Sequence, residues 1–385
     1  MTRPTAVVVG FIGKLPFAGM SLYNLHYIAG LQTLGYDVHY VERQNKPEEM
    51  YDPVADAMTD DPAHAIDYLG EVLPEFGIAP GRFSFIDRHD RCHGAGWSDL
   101  RAVLDSADFI MTLCERAWCD EFARCPQRAF VDGDPLFTQA AMLQSDGDTA
   151  AVLANYDTLF TYGTRIGMKD CMVPAAGRDW IATRPVTATR YWHVTAASPS
   201  SPISGVSQWT GGSPVELDGR TYGYKNREFD RFIDLPQHTT QRFSLAVGGS
   251  GAPLTRLREL GWELVNPLEI SGTIEAYQEF ISASRADLGI AKHAFVASRS
   301  GWFSDRSTCY LAAGRPVLHQ DTGFTDWLPS GSGVLSFSNM EDLLDAIERL
   351  NSDYDAHALA ARRIAEEYFE AATVVGRMLD DCGYR

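Results

Sequence analysis

The chain has 385 residues and a formal net charge of −18. Its length predicts two domains with ample core. Its sign disfavours a nucleic acid as the main partner, because phosphate backbones are held by basic faces. The seven cysteines are scattered without a CxxC pair, which argues for reduced thiols in a cytoplasmic protein rather than a disulfide or zinc framework. No apolar run approaches the length of a transmembrane helix, and the excess of Arg over Lys fits a high-GC bacterial genome.

Thr5 to Phe11 (TAVVVGF) is a continuous apolar run, expected as a parallel strand buried on both faces. A turn with Gly13 and Gly19 follows, then a helix from about Ser21 to Leu34, ended by Gly35, and a strand from Tyr36 to Val41. This is a βαβ unit, but its glycines are not spaced as GxGxxG. A helix is expected around His64 to Phe76, and short strands at Phe109–Leu113, Arg128–Asp132 and Thr158–Tyr162. Ala196 to Gly205 (AASPSSPISG) reads as a linker. ISGVSQW and FSLAVGGSG then open a second sheet, continued by ADLGI and PVLHQ, and residues 210–232 between the first two read as a local elaboration. The last forty or so residues are helical, from Met340 to Leu350 and from His357 to Met378.

Open α/β sheets bind ligands outside the carboxyl ends of their strands, which selects the candidate residues. Gly248, Gly249 and Ser250 follow a strand and suit a phosphate cradle, since glycines let backbone N–H groups approach without a Cβ clash. Lys292, His293, Ser298, Arg299, Ser300 and Arg306 fall within fifteen positions, around a helix expected to start near Ser304. Cations and free N–H groups there suit a diphosphate. Gly13 joins this set as the turn glycine of the first βαβ unit. Asp132 and Asp134 end a strand and point the same way on extended backbone, so they read either as a general-base pair or as a turn before Pro135. His26 is the rival base, on the apolar face of its helix. The stretch IDRHDRCHGAGW (Asp87, His89, Asp90, His93) contains metal-ligand residue types, but Gly94 and Gly96 argue against the helix that an i, i+4 pair of histidines requires. An acceptor-facing loop is expected there, and no metal.

The stretch from Ser284 to Trp327, with Ala312-Ala313-Gly314-Arg315-Pro316-Val317 after its short helix, resembles the donor-binding half of GT-B glycosyltransferases. The whole chain is similar to uncharacterised bacterial proteins labelled glycosyltransferase-like. The resemblance implies a GT-B architecture of two Rossmann-like domains facing across a cleft. It also implies a nucleotide-sugar donor lying against the C-terminal domain, with Gln320, Asp321, Thr322 and Gly323 reaching its sugar. Many retaining members carry a Glu five positions before that glycine, directed at the donor ribose. Here the position is Cys309, with Asp305 one turn earlier, so retention or inversion stays open.

The expected organisation is an acceptor-side domain over residues 1–200, a nucleotide-sugar domain over 201–365, and a terminal helix, 366–385, returning to the first domain. The expected function is metal-independent transfer of a sugar, most simply a hexose, from a nucleotide-diphosphate sugar to a hydroxyl of a small-molecule acceptor. The donor is a co-substrate and no other cofactor is expected. The alternatives are a GT-B-type sugar-nucleotide epimerase and a non-catalytic GT-B-like binding protein. A homodimer is left open.

Overall fold

The computed structural model describes residues 3–144 and 148–384. Two parallel sheets carry the architecture, as the apolar runs predict. The N-terminal half contributes β1 (Thr5–Gly10), β2 (Asp37–Arg43), a small hairpin of β3 (Met50–Asp52) and β4 (Ala57–Thr59), β5 (Phe83–Ile86), β6 (Cys92–Gly94), β7 (Phe109–Leu113), β8 (Arg128–Asp132), β9 (Thr158–Thr161) and β10 (Ile181–Ala182). The C-terminal half contributes β11 (Ile203–Gln208), a hairpin of β12 (Val215–Leu217) and β13 (Arg220–Tyr222), β14 (Phe243–Gly248), β15 (Glu263–Val265), β16 (Ala286–Gly289), β17 (Val317–Gln320) and β18 (Val334–Phe337).

The first sheet has the order β10-β9-β8-β7-β1-β2-β5-β6 and the second β15-β14-β11-β16-β17-β18. Every neighbouring pair is parallel except β5 with β6. The central strands β1, β7 and β16 are buried along almost their whole length, which is why they read as largely apolar runs, with Asp287 the charged exception in β16. Each order reverses once, between β1 and β7 in the first sheet and between β11 and β16 in the second. These two switch points are where the fold leaves a crevice at the carboxyl edge.

The helix after β1, Ala18–Thr33, begins three residues earlier than expected and is buried on nearly every side. A helix apolar all round belongs in the interior; this one lies between its own sheet and helices of the C-terminal half. One continuous apolar cluster accordingly runs through both halves, including Leu25, Phe160, Tyr277, Tyr310 and Phe369. A second cluster, around Ile203, Phe232, Trp262, Leu318 and Leu350, fills the other face of the second sheet.

The expected single terminal helix is instead Tyr354–Ile364, a π turn at Ala365–Phe369, and Ala371–Asp381. The break has a cause: Glu370 leaves the helix to form a parallel bridge with Thr187 in the segment that crosses between the sheets. Thr187 N donates to Phe369 O at 2.8 Å, and Ala371 N to Thr187 O at 3.0 Å. Beyond the bridge, Ala371–Asp381 packs on Ala18–Thr33. A Cβ on Gly30 would stand 2.8 Å from the carbonyl oxygen of Ala371, so only glycine fits there. The crossing segment is also held by Arg315, which is buried and donates to Thr195 O and Oγ1 at 2.6 and 2.8 Å and to Ser282 O at 2.6 Å.

Candidate functional site

At the switch point of the second sheet, Val206 and Ser207 of β11 face Leu288 of β16 and Ile290 just beyond it, with Lys225, Phe229 and Arg306 closing the sides of a cavity of about 10 Å³. Arg306 reaches this point from the first turn of the helix Asp305–Ala312. Its guanidinium contacts both oxygens of the buried Asp287, at 3.2 and 3.3 Å, and Nη1 donates to Val206 O at 2.6 Å. Lys225 opens the helix Lys225–Phe229. Among the described residues its half-buried ammonium has no hydrogen-bond or ion-pair partner. Burial, and then the charges of Arg306 and Lys292, pull it down to about 7. A third cation is therefore close: Lys292, the residue that precedes the helix His293–Ser298.

Lys292 spans the gap to the first sheet. Its Nζ lies 2.5 and 2.8 Å from the two carboxylate oxygens of Asp134, and 5.0 to 5.9 Å from the ring centres of Phe137, Phe295 and Tyr224. Phe137 stacks on Tyr224 at 5.1 Å, and Trp302 Nε1 donates to Gly133 O at 3.1 Å. The two edges are thus in contact through an ion pair, an aromatic stack and a hydrogen bond. Half-exposed pairs of this kind contribute about 0–1 kcal/mol, so a stronger anion can displace Asp134 from Lys292.

The other residues expected to meet a donor are placed as follows. Gly248 ends β14; Gly249 and Ser250 form an exposed turn beside Trp209 and Thr210, with Gly249 at φ +90° and Thr210 Oγ1 donating to Ser250 O at 3.0 Å. His293 accepts from Gly223 N at 3.2 Å, on the flank of the hairpin β12–β13. Ser304 caps its helix through the backbone only. Arg299 turns away to Asp170 of the N-terminal half, at 2.9 Å. Gln320 is fully buried; its amide holds Glu228 at 2.6 Å and Ala291 N at 3.2 Å. Asp321 makes a turn by accepting from Gly323 N at 2.9 Å, and Thr322 donates to Trp302 O. Gly323 meets Arg165: a Cβ there would lie 2.5 Å from Arg165 Cδ. Gln320, Thr322 and Gly323 therefore fix loops and the contact between halves.

The facing edge differs from expectation at three residues. Gly13 N and Lys14 N both donate to the carboxylate of the buried Glu42, at 2.7 and 2.9 Å, and Tyr40 donates to it at 2.8 Å. An internal carboxylate already takes the N–H groups that a phosphate would need. Lys14 Nζ is equally committed, to Arg43 O at 3.0 Å and Glu115 at 2.8 Å. Asp132 is enclosed and accepts from Thr138, Gln139, Thr161 and Asp134 N at 2.7 to 3.1 Å. Burial raises its pKa against the pull of those donors. This is the turn arrangement, and Asp134 alone of the pair reaches the gap. His26 is buried between Val186 O, 3.1 Å from Nδ1, and Trp192 Nε1, 3.4 Å from Nε2. Burial lowers it to about 3, so it is a neutral anchor for the crossing segment.

Cys309 is buried under Asp305 O. Asp305 stands beside it with its pKa raised by burial against the opposing charge of Arg306. The stretch from Asp87 to Gly94 is the turn and edge strand of a hairpin. Asp87 accepts from His89 N, Arg91 and His93 at 2.7 to 3.1 Å, and this lies at the far edge of the first sheet. Among the described residues, no group of three His, Cys, Asp or Glu side chains is arranged to hold a metal, and no helix is long and apolar enough to cross a membrane. All seven cysteines are free.

Lys225 is the residue that sequence reasoning missed. It lies inside the stretch read as an elaboration, but Lys225–Phe229 is a packed helix whose Phe229 is buried. The available signal was a lysine at the head of the first helix to follow the first strand of the second sheet.

A family model described as glycosyl transferase-like matches residues 227–380. Among solved structures, HepE of Anabaena, in complex with UDP and glucose, is similar over 100% of both chains at 10% identity and a TM-score of 0.57. An alpha-glucosyltransferase in complex with UDP and a 13-mer DNA is similar over 99% of both chains at 10% identity and a TM-score of 0.57. A glycosyltransferase of Rickettsia africae ESF-5 is similar over 99% of this chain and 98% of its own, at 10% identity and a TM-score of 0.53. No curated protein matches the sequence. The chain has the GT-B fold, and its C-terminal part is similar to the glycosyl transferase-like family.

Proposed function

We propose that this GT-B chain transfers a sugar from a nucleotide-diphosphate sugar to a hydroxyl of a small-molecule acceptor. The observation that carries the reading is the unpaired Lys225 between Arg306 and Lys292 at the second switch point. Arg306 and Lys292 already face Asp287 and Asp134, and Asp287 and Asp305 also favour the charged Lys225, yet burial and the two neighbouring cations outweigh them, so a further anion is favoured there. A leaving diphosphate is such an anion, and cations fixed around it stabilise the charge that builds as the glycosidic bond breaks.

The roles then divide between the halves. The C-terminal half holds the donor through Lys225, Arg306 and Lys292, and Asp305 stands in place of a ribose-binding Glu. The N-terminal half meets the acceptor hydroxyl with Asp134. Drawing Lys292 onto the diphosphate releases the Asp134 carboxylate, which is then free to take the acceptor proton. Because the cavity at the switch point holds only about 10 Å³, roughly one water, donor entry requires it to widen. The three cations supply the charge that a divalent metal would otherwise bring to the diphosphate. The UDP in the complexes of the similar structures makes UDP the first donor nucleotide to test.

Calorimetry with UDP, GDP and TDP and their parent nucleosides tests the reading. One diphosphate should bind far more tightly than its nucleoside, and Lys225→Ala should weaken only the diphosphate, about tenfold to a hundredfold for a charge-assisted contact of 1.5–3 kcal/mol. Absence of binding by all three, or equal losses for diphosphate and nucleoside, overturns it.

A further inference from the structure

A cavity larger than the one at the switch point lies nearby. It lies on the flank, between β13 and the helix His293–Ser298, and has a volume of about 350 Å³. Arg220, Thr221, Tyr222, Arg227, His293 and Ala297 line it, with no carboxylate among them. In a chain of net charge −18, a cavity with two guanidiniums and an imidazole is a local reversal of the overall field.

Its basic groups are oriented. Arg227 Nη1 donates to Thr221 O at 3.2 Å, which steers the guanidinium along the hairpin. His293 Nδ1 accepts from Gly223 N at 3.2 Å, so the neutral ring carries its proton on Nε2, as a donor. The nearest acid on the same helix, Glu228, is committed to Gln320 and Arg231, both at 2.6 Å. Among the described residues, neither Arg220 nor Arg227 has an ion-pair partner. The cavity also adjoins the reaction centre: His293 follows Lys292, and Arg227 follows Lys225 by two positions on one short helix.

We propose that this cavity is a binding site for one anionic group, a carboxylate or a phosphate monoester, carried by the acceptor. Arg220 and Arg227 offer planar forks suited to paired oxygens, and His293 adds a neutral donor. An acceptor held there by its charged end directs a hydroxyl toward Asp134. The anion site stands on the cavity itself; its assignment to the acceptor rests on the glycosyl-transfer reading.

The test is a titration of the full-length chain, labelled with ¹³C at histidine, with inorganic phosphate and separately with acetate at constant ionic strength. His293 is assigned by its loss in His293→Gln. The His293 signal should shift saturably with at least one anion, and which of the two binds more tightly identifies phosphate or carboxylate. The pair Arg220→Gln and Arg227→Gln, both at exposed positions, should weaken binding at least tenfold with an unchanged melting temperature, and Arg220→Gln alone should give a smaller loss. Saturating UDP should leave the shift in place. No saturable shift with either anion, full binding by the double variant, or displacement by UDP overturns the proposal. Failure of UDP to bind in calorimetry would instead overturn the donor reading and leave this site standing.

Discussion

The two switch points share one topology and have opposite electrostatic states. In the N-terminal half, the turn after β1 offers backbone N–H groups and a lysine, and all of them are spent: Glu42 takes Gly13 N and Lys14 N, and Glu115 takes the ammonium. In the C-terminal half, Lys225 has no hydrogen-bond or ion-pair partner among the described residues, and burial with Arg306 and Lys292 outweighs the pull of Asp287 and Asp305. A Gly-Lys turn on a Rossmann-like edge therefore says little about ligand binding until its internal partners are known. The fold builds two crevices, and pairing within the chain closes one of them.

The largest effect should come from the residue that connects the two. Asp134→Asn should cut sugar transfer by a hundredfold or more, the usual contribution of a general base. It should leave UDP affinity unchanged or slightly improved, because Lys292 loses a competing partner; full turnover would return Asp134 to a structural role. Next, Lys14→Met should cost about 3–5 kcal/mol of stability, since it removes the buried cation that faces Glu42 and pairs with the partly buried Glu115 and Glu49, while UDP affinity stays the same. Urea unfolding and calorimetry together check this, and weakened UDP binding would mean the first crevice is not closed.

A subtler effect concerns Glu42. Burial raises its carboxyl to about 7, against the pull of Lys14 and of the donors around it. A raised acid makes its full contribution below its unfolded value, near 4.5, and loses it as pH rises through about 7. Glu42→Gln should therefore gain on the parent chain by roughly 1–3 kcal/mol between pH 5 and pH 8, since a tenfold change in proton activity is worth about 1.4 kcal/mol for one titrating group. A constant difference in urea unfolding would show that Lys14 and the N–H donors outweigh burial. Last, Arg299→Ala should change UDP affinity by less than about twofold, the size expected for a weak exposed pair, because Arg299 bonds to Asp170. A large loss would bring it back to the donor.

The sheets were legible because buried parallel strands write themselves as apolar runs, and each expected strand is present. Short edge strands such as β6, β10 and β15 were not, since at two or three residues they carry too little pattern. The helix His293–Ser298 was hidden in a polar loop. At the site, the cations on the loop after β16 stand out in the local sequence, but their partners do not. Gly13 reads as a phosphate ligand because nothing nearby marks Glu42, twenty-nine positions on, as its acceptor. The Lys292–Asp134 pair joins residues 158 positions apart. Asp132 and Asp134 look alike in sequence and separate only when Thr138, Gln139 and Thr161 fold over the first of them.

The bridge between Thr187 and Glu370 has a consequence for synthesis. The face of Ala18–Thr33 that Gly30 opens is completed by Ala371–Asp381, which leaves the ribosome ~340 residues later. At ~5–20 residues per second, the first half waits roughly twenty to seventy seconds for this helix. During that time an apolar surface around Gly30 is open to chaperones and to other nascent chains. The chain is thus expected to finish both halves together, once Ala371–Asp381 has emerged, rather than one after the other.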